Sequence, residues 1–214
     1  MFPGVMLPLH IFEHRYRRLV RDLLDLEAGA RHFGVVAIKA GTEVGADGIT
    51  ALHEVGCTAE LQYAEAYPDG RYDIIATGAS RFRIAAVLPA AEASPVRAEV
   101  EMLGESTGPQ STALAARVRR HFVNYREALL SAQGLAADAD EQSTELPADP
   151  GELAYLVAAA MILDLTDKQE LLAASTVDER LRLELNLLRR EASMVGGLSM
   201  RPAVELPRAP YASN

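Results

Sequence analysis

One group of side chains in the sequence could bind a catalytic metal. His10, Glu13 and His14 form the pattern His-x-x-Glu-His. On a helix, histidines four residues apart share one face, so both could ligate Zn²⁺ while the glutamate acts as general base. Pro8 lies just upstream, and a helix that begins near Phe12 leaves His10 in the preceding turn. A strand-to-helix corner is therefore the favoured interpretation, with a small zinc-dependent hydrolase as the alternative.

The other reactive side chains fit no catalytic pattern. Lys39 and Lys168 follow Ile and Asp, so neither forms the Gly-Lys step of a phosphate loop, and both are expected to be solvated. Residues 78–80 lack the Gly-x-Ser-x-Gly pattern of a nucleophile elbow and are interpreted as a connection between strands. Cys57 falls on the buried side of an alternating strand, where cysteine acts as a small apolar filler. The sequence therefore predicts no catalytic residue, no metal site and no cofactor.

The composition indicates a folded chain that binds neither nucleic acid nor membrane. The chain has 214 residues, of which 49% are apolar and 24% charged, enough for one large domain or two small ones. The formal net charge of −9 argues against a binder of phosphate backbones. A single cysteine excludes an internal disulfide framework, and no basic leader or apolar run of roughly 20 residues is present. We predict a soluble, cytoplasmic protein.

The first half is expected to form strands that position the corner. Odd-numbered side chains from Val55 to Tyr63 alternate with polar ones, as in a strand with one buried face. A turn is predicted at residues 67–70, and the alternation returns at 72–76, 82–88 and 96–102. Residues 33–38 suit a strand buried on both faces, and residues 12–27 suit a helix ended by Gly29. This pattern predicts a curled antiparallel sheet or small β-barrel with one helix.

The second half is expected to form a four-helix bundle. Four pairs have the spacing of capping boxes, which mark helix starts. They are Thr107 with Gln110, Asp149 with Glu152, Thr166 with Gln169, and Thr176 with Glu179. Gly134 is predicted to end the first helix, and Gly196 with Gly197 the last. The resulting organisation is a β-rich subdomain at 1–104, a helical subdomain at 105–197 and a flexible tail at 198–214, with loops at 41–48 and 135–148.

Several segments, in order over residues 1 to about 195, together form a recognisable pattern. It begins with Phe-Pro-Gly-Val-Met-Leu-Pro-Leu-His-Ile-Phe-Glu, and its segments are residues 2–13, 15–20, 56–61, 72–78, 80–84, 167–172 and 177–181. This pattern resembles the N-terminal substrate-binding domain of ATP-dependent Lon proteases. The resemblance implies an α+β fold, with a PUA-like β-barrel followed by a helical bundle, and a role in holding polypeptide substrates. Stand-alone bacterial proteins carry this domain without the protease.

The sequence also departs from the family pattern. The ATPase and peptidase domains of the protease are absent, so neither proteolysis nor nucleotide hydrolysis is expected. His14 stands where related stand-alone sequences often have proline. The family usually has a further strand before Phe-Pro-Gly, whereas here only Met1 precedes it. Either the true start lies upstream, or the barrel lacks a strand and exposes a sheet edge.

These observations lead to the hypothesis of a non-enzymatic polypeptide-binding module. We expect it to capture unfolded or extended polypeptide segments through a groove or an open sheet edge, with a protease or another protein as a further partner. Phe12, His14 and Arg15, at the strand-to-helix corner, are the predicted contact residues. The zinc-dependent hydrolase and an adaptor for one dedicated partner are the alternatives.

Overall fold

The computed structural model describes residues 1–41, 49–89, 94–132 and 146–199. Most of the predicted loops at 41–48 and 135–148 and of the predicted tail at 198–214 lies outside these residues, as does Gly134. No helix in the described part of the chain is both long and apolar enough to cross a membrane.

The first half of the chain forms antiparallel sheets. Its strands are β1 (Met6–Ile11), β2 (His32–Val35), β3 (Ile38–Gly41), β4 (Ile49–Leu52), β5 (Val55–Ala66), β6 (Tyr72–Leu88) and β7 (Arg97–Leu103). One sheet has the order β1-β6-β5-β2, and β7 follows β1 along the same edge of β6, while β3 and β4 pair separately. The predicted α+β fold is confirmed. Among the described strands the main sheet is open at β1 and β2.

Helix α1 (His14–Leu24) covers the inner face of this sheet. Val20 and Leu23 pack against a buried cluster that includes Leu61 and Ile74. The helix is shorter than the predicted 12–27. Its first residue follows an extended N-cap, and the side chain of Arg31 donates hydrogen bonds to the carbonyls of Leu24 and Leu26 at 3.1 and 2.9 Å. These bonds satisfy carbonyls at the end of the helix, and a 3₁₀ turn follows at Ala28–Ala30.

Strand β6 is continuous, so the connection predicted at residues 78–80 is wrong. Ala79 and Ser80 form a bulge opposite Thr58, whose hydroxyl donates to the Ser80 carbonyl and accepts from its N–H at 3.1 and 3.0 Å. Gly78 is required for another reason. The Gly4 N–H donates to its carbonyl at 2.8 Å, and a side chain at position 78 would collide with the backbone of Phe2.

Two other strand predictions need correction. The segment predicted as one strand at 33–38 is divided between β2 and β3, which belong to different sheets. The strand at 96–102 exists as β7, but Val96, Val100 and Met102 are exposed although the alternation predicted them buried. Since β7 lies at the sheet edge, no helix of the described chain packs over these side chains.

The second half contains α2 (Ser111–Ala132), α3 (Pro150–Ala160), α4 (Leu165–Ala173) and α5 (Val177–Ser199). These four predicted helices share one core, to which all of them contribute. Fully buried members of that core include Val118, Leu153, Leu171 and Leu181. Helix α5 continues through Gly196 and Gly197 to Ser199, so its predicted end is wrong: glycine permits a helix to end but does not require it.

Two of the four predicted helix starts are correct. The Asp149 side chain accepts hydrogen bonds from the N–H groups of Gly151 and Glu152, and Thr176 accepts one from Glu179. The start predicted at Thr166 is wrong, because Asp164 caps α4 by accepting from the Asp167 N–H at 2.9 Å. The start predicted at Thr107 is also wrong, since α2 begins at Ser111.

Candidate functional site

The predicted contact residues lie where β1 ends and α1 begins. Phe12 connects the two elements and is 60% exposed. His14, the first residue of α1, is also exposed. Arg15 is less accessible, because its Nε donates to Glu13 at 3.1 Å and its guanidinium lies 4.7 Å from the centre of the Tyr16 ring. The corner therefore presents Phe12 and His14 to solvent, and Arg15 contacts other residues of the protein.

The geometry of the same corner does not favour a zinc site. His10 lies in β1 and His14 begins α1, so the two histidines share no helix face. His10 Nδ1 is 2.5 Å from Oδ1 of Asp73 on the neighbouring strand. Across the described ranges, no group of three His, Cys, Asp or Glu side chains is placed to hold a metal ion.

Phe12 adjoins a sheet surface that we call the outer face, the side of β1, β6 and β5 opposite α1. Directly paired residues of antiparallel strands point to the same side of the sheet. The central row across the outer face consists of Pro8, Ile75 and Tyr63. The two flanking rows are Met6, Thr77 and Glu60 on one side, and His10, Asp73 and Glu65 on the other.

The outer face exposes an unusual amount of apolar surface. Met6 is 65% exposed and Tyr63 is 54% exposed, Pro8 is open to solvent and Ile75 is half-buried. Together with Phe12, these side chains form a patch that no element of the described chain covers. Because apolar surface gains free energy when it is removed from water, such a patch indicates a contact surface for another molecule.

Tyr63 reaches the outer face through a β-bulge. The alternation in β5 predicted Tyr63 on the buried side, together with Leu61, and this prediction is wrong. Leu61 pairs with Ala76 and Tyr63 with Ile75, so Gln62 is an extra residue in β5. One extra residue shifts the following side chains to the opposite side of the sheet. Sequence reasoning missed Tyr63 for this reason.

Hydrogen bonds and ring contacts order the end of the outer face next to Phe12. The carboxylate of Asp73 accepts from the Tyr67 hydroxyl at 2.5 Å and also contacts His10. These two hydrogen bonds, the one from Tyr67 first, lower the pKa of Asp73, so it stays ionised. The His10 ring stacks on Phe12 with centroids 6.4 Å apart and meets Tyr67 edge-on at 6.1 Å. Along β1, His10 lies between Phe12 and the central row, and its ring packs against Phe12.

A second polar cluster joins the sheet to the helices. The carboxylate of Glu105 accepts hydrogen bonds from Arg81 at 2.7 Å, from Arg180 at 3.1 Å and from the Tyr155 hydroxyl. Partial burial alone would raise the pKa of Glu105, but its three partners outweigh burial and lower it. Burial raises the pKa of Tyr155; the nearby charge of Arg180 opposes this shift, and the hydrogen bond to Glu105 adds to it. Each of these side chains forms hydrogen bonds within the cluster, so the cluster connects the β-rich half of the chain with the helical half.

A cleft of about 800 Å³ lies beside this cluster, between residues 3–5 and helix α3. Its walls are mainly apolar and include Val5, Leu156 and Ala159. Asp149, at its mouth, is occupied in capping α3. Thr107, Glu152, Glu105 and Tyr155 also line the cleft, and the last two are hydrogen-bonded to each other.

Comparison with known proteins identifies the family of this chain. Residues 1–190 match the family model described as the ATP-dependent protease La (LON) substrate-binding domain. The chain is 27% identical over 179 residues to "Lon protease 2" of Syntrophobacter fumaroxidans, an alignment that covers 80% of this chain and 21% of that protein. It is 29% identical over 196 residues to "Lon protease" of Desulfovibrio desulfuricans, covering 91% and 21%. The chain spans about a fifth of the length of these relatives.

Solved structures share the fold. The Lon N-terminal domain protein from Xanthomonas campestris superimposes with a TM-score of 0.56 at 22% identity, covering 87% of this chain and 91% of that one. The N-terminal domain of the Mycobacterium avium complex Lon protease gives a TM-score of 0.59 at 19% identity, covering 90% and 92%. Together with the match over residues 1–190, these similarities establish that the chain belongs to the family of Lon substrate-binding domains.

Proposed function

We propose that this chain is a non-enzymatic module that binds unfolded or extended polypeptide segments on the outer face of its sheet. The observation that carries the proposal is the exposed apolar row of Pro8, Ile75 and Tyr63, flanked by Met6 and Phe12. The family match supports it, because the matching family model is that of a substrate-binding domain. Folded proteins bury their large apolar side chains, so such a row selects chains whose apolar side chains are accessible.

The proposed binding is reversible and of modest strength. Burying apolar surface contributes roughly 25 cal/mol per Å², and part of this gain offsets the ordering of a flexible segment. Phe12 and His14 border the face, and we assign the larger contribution to Phe12, because it is apolar and 60% exposed. Arg15 contributes less, since its guanidinium contacts Glu13 and Tyr16.

The absence of enzymatic activity is part of the proposal. Cys57 is fully buried, and burial raises the pKa of its thiol to about 11, so it is a poor source of thiolate. Glu105 and Tyr155 have shifted pKa values, but both are hydrogen-bonded within the cluster that joins sheet and helices. We further propose that the module acts in the cytoplasm and delivers its polypeptides to a protease or to another protein partner.

The experiment compares two pairs of apolar-to-serine substitutions. Phe12→Ser with Tyr63→Ser removes exposed apolar groups from the outer face, and Ile162→Ser with Leu165→Ser removes equally exposed groups from the helical half. Binding of a fluorescently labelled, permanently unfolded protein is followed by anisotropy. We expect the first pair to weaken the affinity at least fivefold and the second to leave it unchanged, with both variants keeping the wild-type circular dichroism spectrum and Tm. Equal affinities for the two variants, or no preference for the unfolded over a folded protein, would refute the proposal.

A further inference from the structure

The outer face carries negative charge on both sides of its apolar row. Glu60 lies in the row on one side of Tyr63, and Glu65 lies in the row on the other side. Within the described chain, neither glutamate side chain forms an ion pair or a hydrogen bond. Both carboxylates are therefore available to a bound molecule.

The basic groups near these glutamates have other partners. Arg71, at the end of β6, donates from Nε to Asp69 at 2.7 Å. His32 opposes Glu60 on β2, but its Nε2 lies 3.0 Å from the carbonyl of Gly29. The local charge around the apolar row is therefore negative, in keeping with the formal charge of −9 for the whole chain.

The spacing of the rows matches that of an extended chain. Glu60, Tyr63 and Glu65 pair with Thr77, Ile75 and Asp73, which are two residues apart along β6. Rows two residues apart on one face of a strand are separated by about 7 Å. In an extended peptide, side chains at positions i−2, i and i+2 also point to one side with about the same spacing.

We infer that the outer face prefers extended segments in which an apolar residue has lysine or arginine two positions before and after it. The apolar side chain lies against Tyr63 and Ile75, while the two cations reach Glu60 and Glu65. This inference rests on the proposed function and specifies its substrate class. The charges add selectivity to an affinity that comes mainly from apolar contact.

The test uses three peptides that differ only at the flanking positions. They are Gly-Ser-Lys-Ser-Phe-Ser-Lys-Ser-Gly and its analogues with serine or glutamate in place of both lysines. Titration into ¹⁵N-labelled protein, followed by NMR, gives both the affinity and the residues affected. We expect the lysine peptide to bind about 3- to 10-fold more tightly than the serine peptide at low salt, the glutamate peptide to bind more weakly than either, and the preference to vanish at 1 M NaCl.

A charge-matched pair of variants locates the effect. Glu60→Gln with Glu65→Gln should abolish the preference for lysine over serine. Glu127→Gln with Glu170→Gln removes the same charge from exposed helical positions and should preserve the preference. If the serine peptide binds at β1, β5 and β6 but lysine gives no advantage, or if both variants behave alike, this inference is wrong and the proposed function stands. If no peptide perturbs these strands, the proposed function itself fails.

Discussion

Glu184 is an ionisable side chain in the interior, where glutamate is rarely found. It lies in α5 and is fully buried, and neither of its carboxyl oxygens has a hydrogen-bond partner in the described chain. Arg180, one turn earlier, directs its guanidinium towards Glu105 and backbone carbonyls instead. Burial raises the pKa of Glu184 well above its ordinary value, although Arg180 opposes the shift. In the folded state Glu184 therefore releases its proton at a higher pH than an exposed glutamate does.

This protonation makes the stability of the protein depend on pH. The folded state keeps a proton on Glu184 to a higher pH than the unfolded chain does, so the free energy of unfolding falls as pH rises above the ordinary glutamate pKa. Glu184→Gln removes the titration and should flatten this part of the profile. Urea unfolding of wild type and variant at pH 5, 6, 7 and 8 measures the difference. The exposed Glu127→Gln variant should follow the wild-type profile, and parallel profiles for wild type and Glu184→Gln would contradict the assignment.

At the scale of elements, the start of α2 shows how a distant residue can replace a local helix cap. Asp178, in the first turn of α5, accepts hydrogen bonds from the Ser111 hydroxyl and, at 3.1 Å, from the Gln110 N–H. The Ser111 hydroxyl oxygen accepts in turn from the Gly108 N–H at 3.0 Å. A side chain at Gly108 would collide with the Asp178 carboxylate. One buried carboxylate thus joins the starts of two helices.

Replacing the Asp178 carboxylate should lower the free energy of unfolding, whereas replacing Thr107, the locally predicted cap, should change it little. Asp178→Ala leaves the buried Ser111 hydroxyl and the Gln110 N–H without their acceptor, and we expect a loss of about 2–3 kcal/mol in the free energy of unfolding. Thr107→Ala should change it by less than about 0.5 kcal/mol, as is usual for exposed positions. Urea titrations followed by circular dichroism compare the two. A larger loss for Thr107→Ala would restore the local capping box as the helix start.

The same contrast explains how much of the architecture could be predicted from the sequence. The turn at residues 67–70, the alternation of β5 as far as Leu61 and the caps at Asp149 and Thr176 depend on neighbours in the chain, and all of them were predicted correctly. The position of Tyr63 depends on how β5 pairs with β6, which no local pattern encodes. For the same reason the outer face that Phe12 borders could not be predicted from the sequence.

At the scale of the whole molecule, the side chain of Arg81 connects the sheet with the helical half. The side chain leaves β6 just after the bulge and is almost fully buried. Its Nη1 donates to the carbonyls of Leu172 and Ala174 at 2.9 and 2.6 Å, and its Nε donates to Glu105. The bulge gives this side chain its direction, because it shifts the alternation of β6. The Arg81 guanidinium therefore lies between the sheet that carries the outer face and the end of α4.

Because this connection is polar and buried, its removal should separate the unfolding of the sheet from that of the helices. Arg81→Met keeps the length of the side chain but leaves the two carbonyls without this donor and Glu105 with one partner fewer. We expect the free energy of unfolding to fall by about 3–5 kcal/mol. Hydrogen exchange with mass spectrometry, at increasing urea, should show β6 and α5 losing protection together in the wild type and at different urea concentrations in the variant. Arg83→Met, at an exposed position of the same strand, should retain the single transition. If the two halves of Arg81→Met still unfold together, the division predicted at residues 104 and 105 does not mark a boundary between cooperative units, and the apolar contacts alone make the chain one unit.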